Sequence, residues 1–157
     1  LLKNKNFAWV CLGIGDELEK LTELLIKFNI QDRVVFLGFK PDSRPYYKYF
    51  DLFFHPSKSE GFALVIIDAM SHKIPMLLSS LDVYKSIIKE DMAFYFDLND
   101  AESLQIAFEN FLKGDIHLSS AIDKSFEIYK NIFSIEQYGN KHFKIFNDLV
   151  KLNTNNK

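Results

Sequence analysis

Five short apolar runs recur along the chain, and segments with helical spacing separate them. The runs are Phe7–Leu12, Arg33–Leu37, Asp51–His55, Pro75–Ser79 and Ala93–Phe96. Between the first two, Leu18, Leu21, Leu24, Leu25 and Phe28 follow a helical period over Asp16–Phe28. Further helices are predicted over Pro45–Phe50, Phe62–His72 and Asp82–Lys89, and from an N-cap at Asp100 to a stop at Gly114. Two more are predicted, roughly over 116–132 and 134–152, the second opened by the capping box Ser134-Ile135-Glu136-Gln137. Strands that alternate with helices imply a parallel sheet with helices on both faces. Near-continuous apolar strands such as VVFL and MLLS agree, because such strands are buried on both sides. Pro75 suits the first residue of its strand, where no ladder donor is lost. Residues 1–152 read as one domain and 153–157 as a loose tail.

Composition narrows the function. The chain has 157 residues, 48% of them apolar, enough for one packed core. A formal net charge of −2 argues against a nucleic-acid partner, which wants a basic face. One cysteine, Cys11, allows no internal disulfide and is expected to be buried and inert. No apolar run approaches the roughly 18 residues that span a bilayer. The N-terminal stretch LLKNKNFAWVCLGIG has no cleavage pattern after it and reads as a buried strand. The chain starts at Leu1 rather than Met, which suggests a piece of a longer protein.

Parallel sheets bind ligands at the carboxyl ends of their strands. Two of the loops there stand out. Gly13-Ile14-Gly15 could open a dinucleotide motif, but Leu18 stands where a third glycine belongs. Asp16 and Glu17 would repel a pyrophosphate at the helix start. A nicotinamide cofactor is therefore not expected, and a tight strand-to-helix turn accounts for the two glycines. The second loop, Ser57 to Gly61, presents Ser57, Ser59 and Glu60. The predicted helix begins at Phe62, Ala63 and Leu64, whose amides lack helical partners and suit an anion. Asp68, seven residues after Gly61, falls within about 20° of the same helix face. Glu60, the amides and Asp68 could line one groove: amides for a diphosphate, carboxylates for hydroxyls on either side of it. A nucleotide sugar has that layout. Solvated carboxylates are the competing reading, weakened for Asp68 because Phe62–Met70 is apolar nearly all round.

The run HPSKSEGFALVIIDAMSHKIPML resembles the donor-site signature of the retaining GT-B glycosyltransferases of family 4. FAWVCLGIGDE, IQDRVVFLGF, YYKYFDLFFHPS and DAESLQIAFENFLKGD resemble further family segments, so the likeness spans about residues 7 to 114. It implies a Rossmann-like parallel sheet, the C-terminal half of a GT-B fold, with the acceptor-binding domain absent. It implies that Glu60, the proposed catalytic position, holds sugar hydroxyls. Gly61, Phe62, Ala63 and Leu64, with Ser59 beside them, would contact sugar and diphosphate. Asp68 would hold the ribose, Gly38 and Phe39 would flank the base, and Gly13 and Gly15 would face the cleft between domains. The reaction implied is transfer from a nucleoside-diphosphate sugar to a glycan or lipid-linked acceptor hydroxyl, as in capsule or lipopolysaccharide synthesis, with no metal and no cofactor beyond the substrate. A cytoplasmic site at the inner face of the membrane, with peripheral membrane association of the full-length enzyme, goes with that implication.

The sequence departs from the pattern in three places. Asp68 is one methylene shorter than the usual Glu. Lys73 stands where the family commonly has Gly. SSLDVYKS lacks the usual glycine pair and Pro-Glu. Among other polar residues, His55 is expected to be a packed or hydrogen-bonded structural histidine that at most touches the site, Lys58 to be solvated, and His72, His117 and His142 not to cluster as metal ligands. Tyr46, Tyr47, Tyr49 and Phe50 read as core. A GT-B sugar-nucleotide epimerase and a non-enzymatic flavodoxin-like module are the alternatives to a transferase. A receiver-type module would want an Asp where His55-Pro56 stands and a Lys where Phe96-Asp97 stands.

Overall fold

The computed structural model describes residues 7–114 and 117–154. The chain forms two compact units, Leu1–Tyr46 and Tyr47–Lys157. The predicted sheet is correspondingly laddered in two groups, β1-β2 and β3-β4-β5, and every pairing in both is parallel.

In the first unit, β1 (Trp9–Cys11) pairs with β2 (Val34–Phe36) in the register Trp9↔Val34 to Cys11↔Phe36. Helix α1 (Leu18–Lys27) links them. It ends at Asn29, whose left-handed φ of 52° is one that asparagine tolerates better than most residues. A 3₁₀ turn, Gln31–Arg33, leads into β2. Cys11 is only partly buried, less than expected, and its surroundings still push the thiol above its ordinary pKa by desolvation. A short helix α2 (Arg44–Tyr47) carries the chain into the second unit.

The second unit is built on β3 (Phe53–His55), β4 (Met76–Ser79) and β5 (Phe94–Phe96), in the order β3-β4-β5. Period-two alternation sends successive side chains to opposite faces. Phe53, Met76, Leu78 and Tyr95 join one apolar cluster with Ile66, Ala69 and Met70 of α3 (Leu64–Ser71) and Tyr84 of α4 (Asp82–Ile87). Phe54, Leu77, Phe94 and Phe96 join a second with Leu104, Ala107 and Phe108 of α5 (Ala101–Leu112). Every residue of β4 is buried, which is why its sequence is apolar on both faces.

Tyr47 sets the position of α3. Its hydroxyl donates to Val65 O at 3.1 Å and its ring stacks on His72 at 5.1 Å, so it holds both ends of the helix. Tyr49, expected in the core, is instead 72% exposed, with Lys48 Nζ 4.9 Å from its ring centroid. Asp100 caps α5 by accepting from the Glu102 amide at 2.9 Å, and Gly114 closes the helix with φ 60°. Helix α6 (His117–Ile128) runs into a π turn, Tyr129–Phe133, where Ser134 N–H donates to Tyr129 O at 2.9 Å. Half of the predicted capping box forms at α7 (Ile135–Thr154): Ser134 Oγ accepts from the Gln137 amide at 3.3 Å, and the Ser134 N–H goes to the π turn instead. Helix α7 takes in Asn153 and Thr154, read above as tail; 155–157 lie outside the described residues. Its apolar positions Ile135, Tyr138, Phe143, Phe146, Leu149 and Val150 are exposed. Among the described residues no helix is long and apolar enough to cross a membrane.

Lys73 follows α3 with φ 56°, the left-handed conformation that glycine adopts without strain. Its ammonium lies 4.4 Å from the Phe126 ring centroid and 3.6 Å from Asp123, both on α6. These exposed contacts offset the backbone strain, on the order of 1 kcal/mol, that a side chain meets there. Lys73→Ala loses the contacts and keeps the strain, whereas Lys73→Gly loses both. The glycine variant should therefore be the more stable of the two by about 1 kcal/mol in urea denaturation.

Candidate functional site

The registers Phe53↔Met76 to His55↔Leu78 and Leu77↔Phe94 to Ser79↔Phe96 bring His55, Ser79 and Phe96 to the carboxyl edge of the three-stranded sheet. The loop from Pro56 to Ala63 leaves that edge and enters α3. It is pinned from below. Ser79, fully buried at the end of the central strand, donates its hydroxyl to Ser57 O at 2.6 Å. Ser57 Oγ in turn donates to Ser59 O at 3.0 Å and shapes the turn before Glu60.

Helix α3 starts at Leu64, two residues later than the sequence predicts. Ala63 is the N-cap, with φ −77° and ψ 88°, and no side chain caps the helix. Phe62 is drawn out of the helix by packing on Phe133 of the π turn, ring centroids 5.9 Å apart, a tertiary contact that local sequence does not register. The first turn is tight, Ile66 N–H bonding Ala63 O at 3.0 Å. Among the described residues no acceptor meets the N–H groups of Gly61, Phe62, Ala63, Leu64 or Val65, so five consecutive donors lie between Glu60 and the first turn.

Because Gly61 lies outside the helix, the expected shared face of Gly61 and Asp68 does not exist. Asp68 instead sits one turn after exposed Leu64, on the same side of α3, and is half-buried rather than sealed in the core. The packed side of α3 is Ile66, Ala69 and Met70. Its apparent all-round apolarity arises because Leu64 is itself exposed.

His55 is more than a packing residue. Its Nε2 lies 3.1 Å from Glu60 Oε1, and both side chains are about three-quarters buried, at 25% and 26% exposure. The imidazole stacks on Phe53 at 5.6 Å, which fixes the ring that meets Glu60. The sequence offered a packed or hydrogen-bonded structural histidine, and both occur; what it did not name was the partner, a carboxylate five residues on in the binding-edge loop. Tyr84, in the segment SSLDVYKS, also reaches this place: its ring lies 6.0 Å from that of His55. Its hydroxyl is buried and has no hydrogen-bond partner. Burial first, and then the charge of Glu60, push the phenol up to about 12; Ser57 nearby pulls weakly the other way without making a hydrogen bond.

The remaining sequence-predicted residues lie in the first unit. Gly13, with φ 130°, donates its N–H to Gly38 O at 2.9 Å, and Gly38 has φ 67°, so these two glycines form one tight corner after β1 and β2. Gly15 accepts from the Leu18 amide at 3.4 Å at the start of α1. Phe39 is 66% exposed. Ser59 and Lys58 are exposed in the second unit. Among the described residues no three His, Cys, Asp or Glu side chains gather where they could hold a metal ion. An open depression of about 430 Å³ between β5 and α5, lined by Tyr95, Asp100, Ser103 and Asn110, shares no residue with the Glu60 cluster.

Parallel strands with helices between them make a Rossmann-like architecture, the one that the GT-B glycosyltransferases share. Solved structures agree on the fold. A Rickettsia africae glycosyltransferase superposes with a TM-score of 0.81 at 19% identity, over 96% of this chain and 42% of that one. HepE from Anabaena, solved in complex with UDP, superposes with a TM-score of 0.80 at 17% identity, over 90% of this chain and 41% of that one. The family pattern described as glycosyl transferases group 1 matches residues 1–127, and the chain belongs to that family. It is also similar to the O-antigen biosynthesis glycosyltransferase WclY of Escherichia coli, 24% identical over 151 residues, covering 96% of this chain and 42% of WclY. The lipopolysaccharide core biosynthesis mannosyltransferase LpsB of Rhizobium meliloti is 22% identical over 84% of this chain and 38% of its own length. The chain thus spans about two-fifths of the length of these two relatives.

Two outcomes test this geometry. Ser79→Ala removes the 2.6 Å bond and leaves a carbonyl unsatisfied, so it should cost about 1–2 kcal/mol in chemical denaturation. The raised Tyr84 phenol keeps a proton in the folded chain that the unfolded chain releases from pH 10.0 upward. Stability should therefore be intact below pH 10 and fall as pH rises toward 12. Tyr95, raised by burial and then by Glu90 and Tyr84, adds to the fall. Thermal melts across that window should show the decline, and Tyr84→Phe should reduce it.

Proposed function

We propose that this chain is the C-terminal, donor-binding part of a retaining glycosyltransferase, which transfers a sugar from a nucleoside diphosphate to an acceptor hydroxyl in bacterial surface-glycan synthesis. The observation that carries the proposal is the row of five unpaired amides, Gly61 to Val65, placed directly after Glu60 at the carboxyl edge of the sheet. Backbone N–H groups ahead of a helix suit a phosphate through both their hydrogen bonds and the helix dipole. In the transfer, the bond between the sugar's anomeric carbon and the diphosphate breaks and its electron pair stays on the phosphate oxygen. Fixed N–H donors stabilise that growing negative charge without reorganising.

Glu60 stands at the sugar side of the row. Held by His55, its carboxylate is oriented to accept from sugar hydroxyls, and its charge would favour positive character at the anomeric centre. Asp68, one turn into α3, is assigned the ribose, as the family resemblance implies. The names of the relatives, O-antigen and lipopolysaccharide core enzymes, and the UDP bound to HepE support the substrate class. In the first unit, the Gly13–Gly38 corner and exposed Phe39 are assigned to the cleft and the base, as the family resemblance implies.

Calorimetry with UDP, GDP and their sugars tests the proposal. Asp68→Ala should weaken binding of the preferred nucleotide about tenfold, the worth of a hydrogen bond to a charged group, while Lys58→Ala changes it less than about twofold. Equal effects, or a wild-type chain that takes up none of these ligands, would sink the assignment.

A further inference from the structure

Tyr84 has no role in the site as described so far. It lies in α4, 2% exposed, and its hydroxyl meets no donor or acceptor among the described residues. A buried hydroxyl is normally satisfied, and leaving one unpaired costs free energy that a fold does not carry without cause. Two observations put Tyr84 beside the Glu60 pair. The ring is tilted 49° against His55 at 6.0 Å, and His55 is the residue that holds Glu60. The negative charge of Glu60 opposes ionisation of the phenol, and the Ser57 side chain favours it, so both groups lie close enough to act on the phenol. The phenol remains protonated at any physiological pH, so it can only donate to an anion. Glu60 has one carboxylate oxygen, Oε1, on His55, and its Oε2 has no partner among the described residues.

We propose that Tyr84 is a positioning residue for Glu60, its buried hydroxyl donating to the Glu60 carboxylate once a nucleotide sugar is bound. The proposal rests on the donor-site reading above. In the free chain Glu60 leans on His55 alone. Sugar hydroxyls that approach the amide row compete with His55 for the same carboxylate. A second donor beneath lets Glu60 turn toward the sugar without losing its anchorage, because one oxygen accepts from Tyr84 while the other accepts from the ligand. The desolvation of the phenol is already spent in the free fold, so satisfying it on binding adds to affinity for the sugar-bearing ligand. Nothing comparable is gained with a nucleoside diphosphate alone, which has no sugar to draw Glu60 away from His55.

Tyr84→Phe in the purified chain tests this, with UDP-glucose, UDP-galactose and GDP-mannose as probes and UDP and GDP as controls. Without ligand, the variant should melt within about 1 °C of the wild type or higher, since no hydrogen bond is lost. Its affinity for the preferred nucleotide sugar should fall about five- to tenfold, with less than about twofold change for the matching diphosphate. Combined with Glu60→Gln, it should add little further loss, because the two side chains act as one unit. A ligand-free melting temperature lowered by more than about 3 °C would mean that the hydroxyl is already bonded, and overturns the proposal. Unchanged sugar-nucleotide affinity overturns it while leaving the donor site standing, and so does an equal loss for diphosphate and sugar nucleotide. A wild-type chain that binds none of the probes removes the donor-site reading itself, and this proposal with it.

Discussion

The second unit depends on one strand. Met76–Ser79 is buried along its whole length, shares ladders with β3 and β5, and sends Met76 and Leu78 to one apolar cluster and Leu77 to the other. Its last residue cannot be apolar. Ser79 ends the strand at the edge where the loops begin, and its buried hydroxyl grips the loop above. Core and loop are thereby joined by a short hydrogen bond, with the His55–Glu60 pair and the Phe62–Phe133 contact as further anchors for the loop that carries the bare amides.

Much of this was legible in the sequence, for physical reasons that can be named. Continuous apolar runs of four or five residues have few alternatives to a doubly covered parallel strand, so all five strands fall inside their predicted ranges. Asp100 and Gly114 act through short-range backbone geometry, and their roles at the ends of α5 were visible for that reason. What escaped was tertiary. The start of α3 moved because Phe62 prefers the ring of Phe133 to the helix. Asp68 was misplaced in depth because an exposed leucine made a one-sided helix look apolar all round. The pairing of His55 with Glu60 and the idle hydroxyl of Tyr84 depend on three segments meeting at one edge, and no local pattern reports that. Lys73 shows the opposite case. Its left-handed backbone was implied by a glycine in relatives, but the ring and carboxylate that let a lysine sit there belong to α6.

Electrostatically the site is poised between two needs. A diphosphate at the proposed donor site would want positive potential, and the amide row with the α3 dipole carries such potential without a formal charge. A carboxylate one residue away works against that potential unless its own field is directed elsewhere. His55 does this at 3.1 Å, drawing Glu60 back toward the strand end. The same pairing gives a carboxylate that is three-quarters buried a partner for one of its two oxygens.

The contact between Phe62 and Phe133 has a wider consequence. It ties the mouth of the loop to the π turn, and the π turn also places Tyr129 and Phe133 against the main apolar cluster. A widened turn of this kind inserts one residue into a helix and rotates everything beyond it. The amides are therefore tuned from the far end of the polypeptide. Lengthening or shortening the bulge by one position would swing the benzyl ring off its seat, so natural drift at Tyr129–Phe133 offers a route to reshape the mouth while every residue that lines it stays the same.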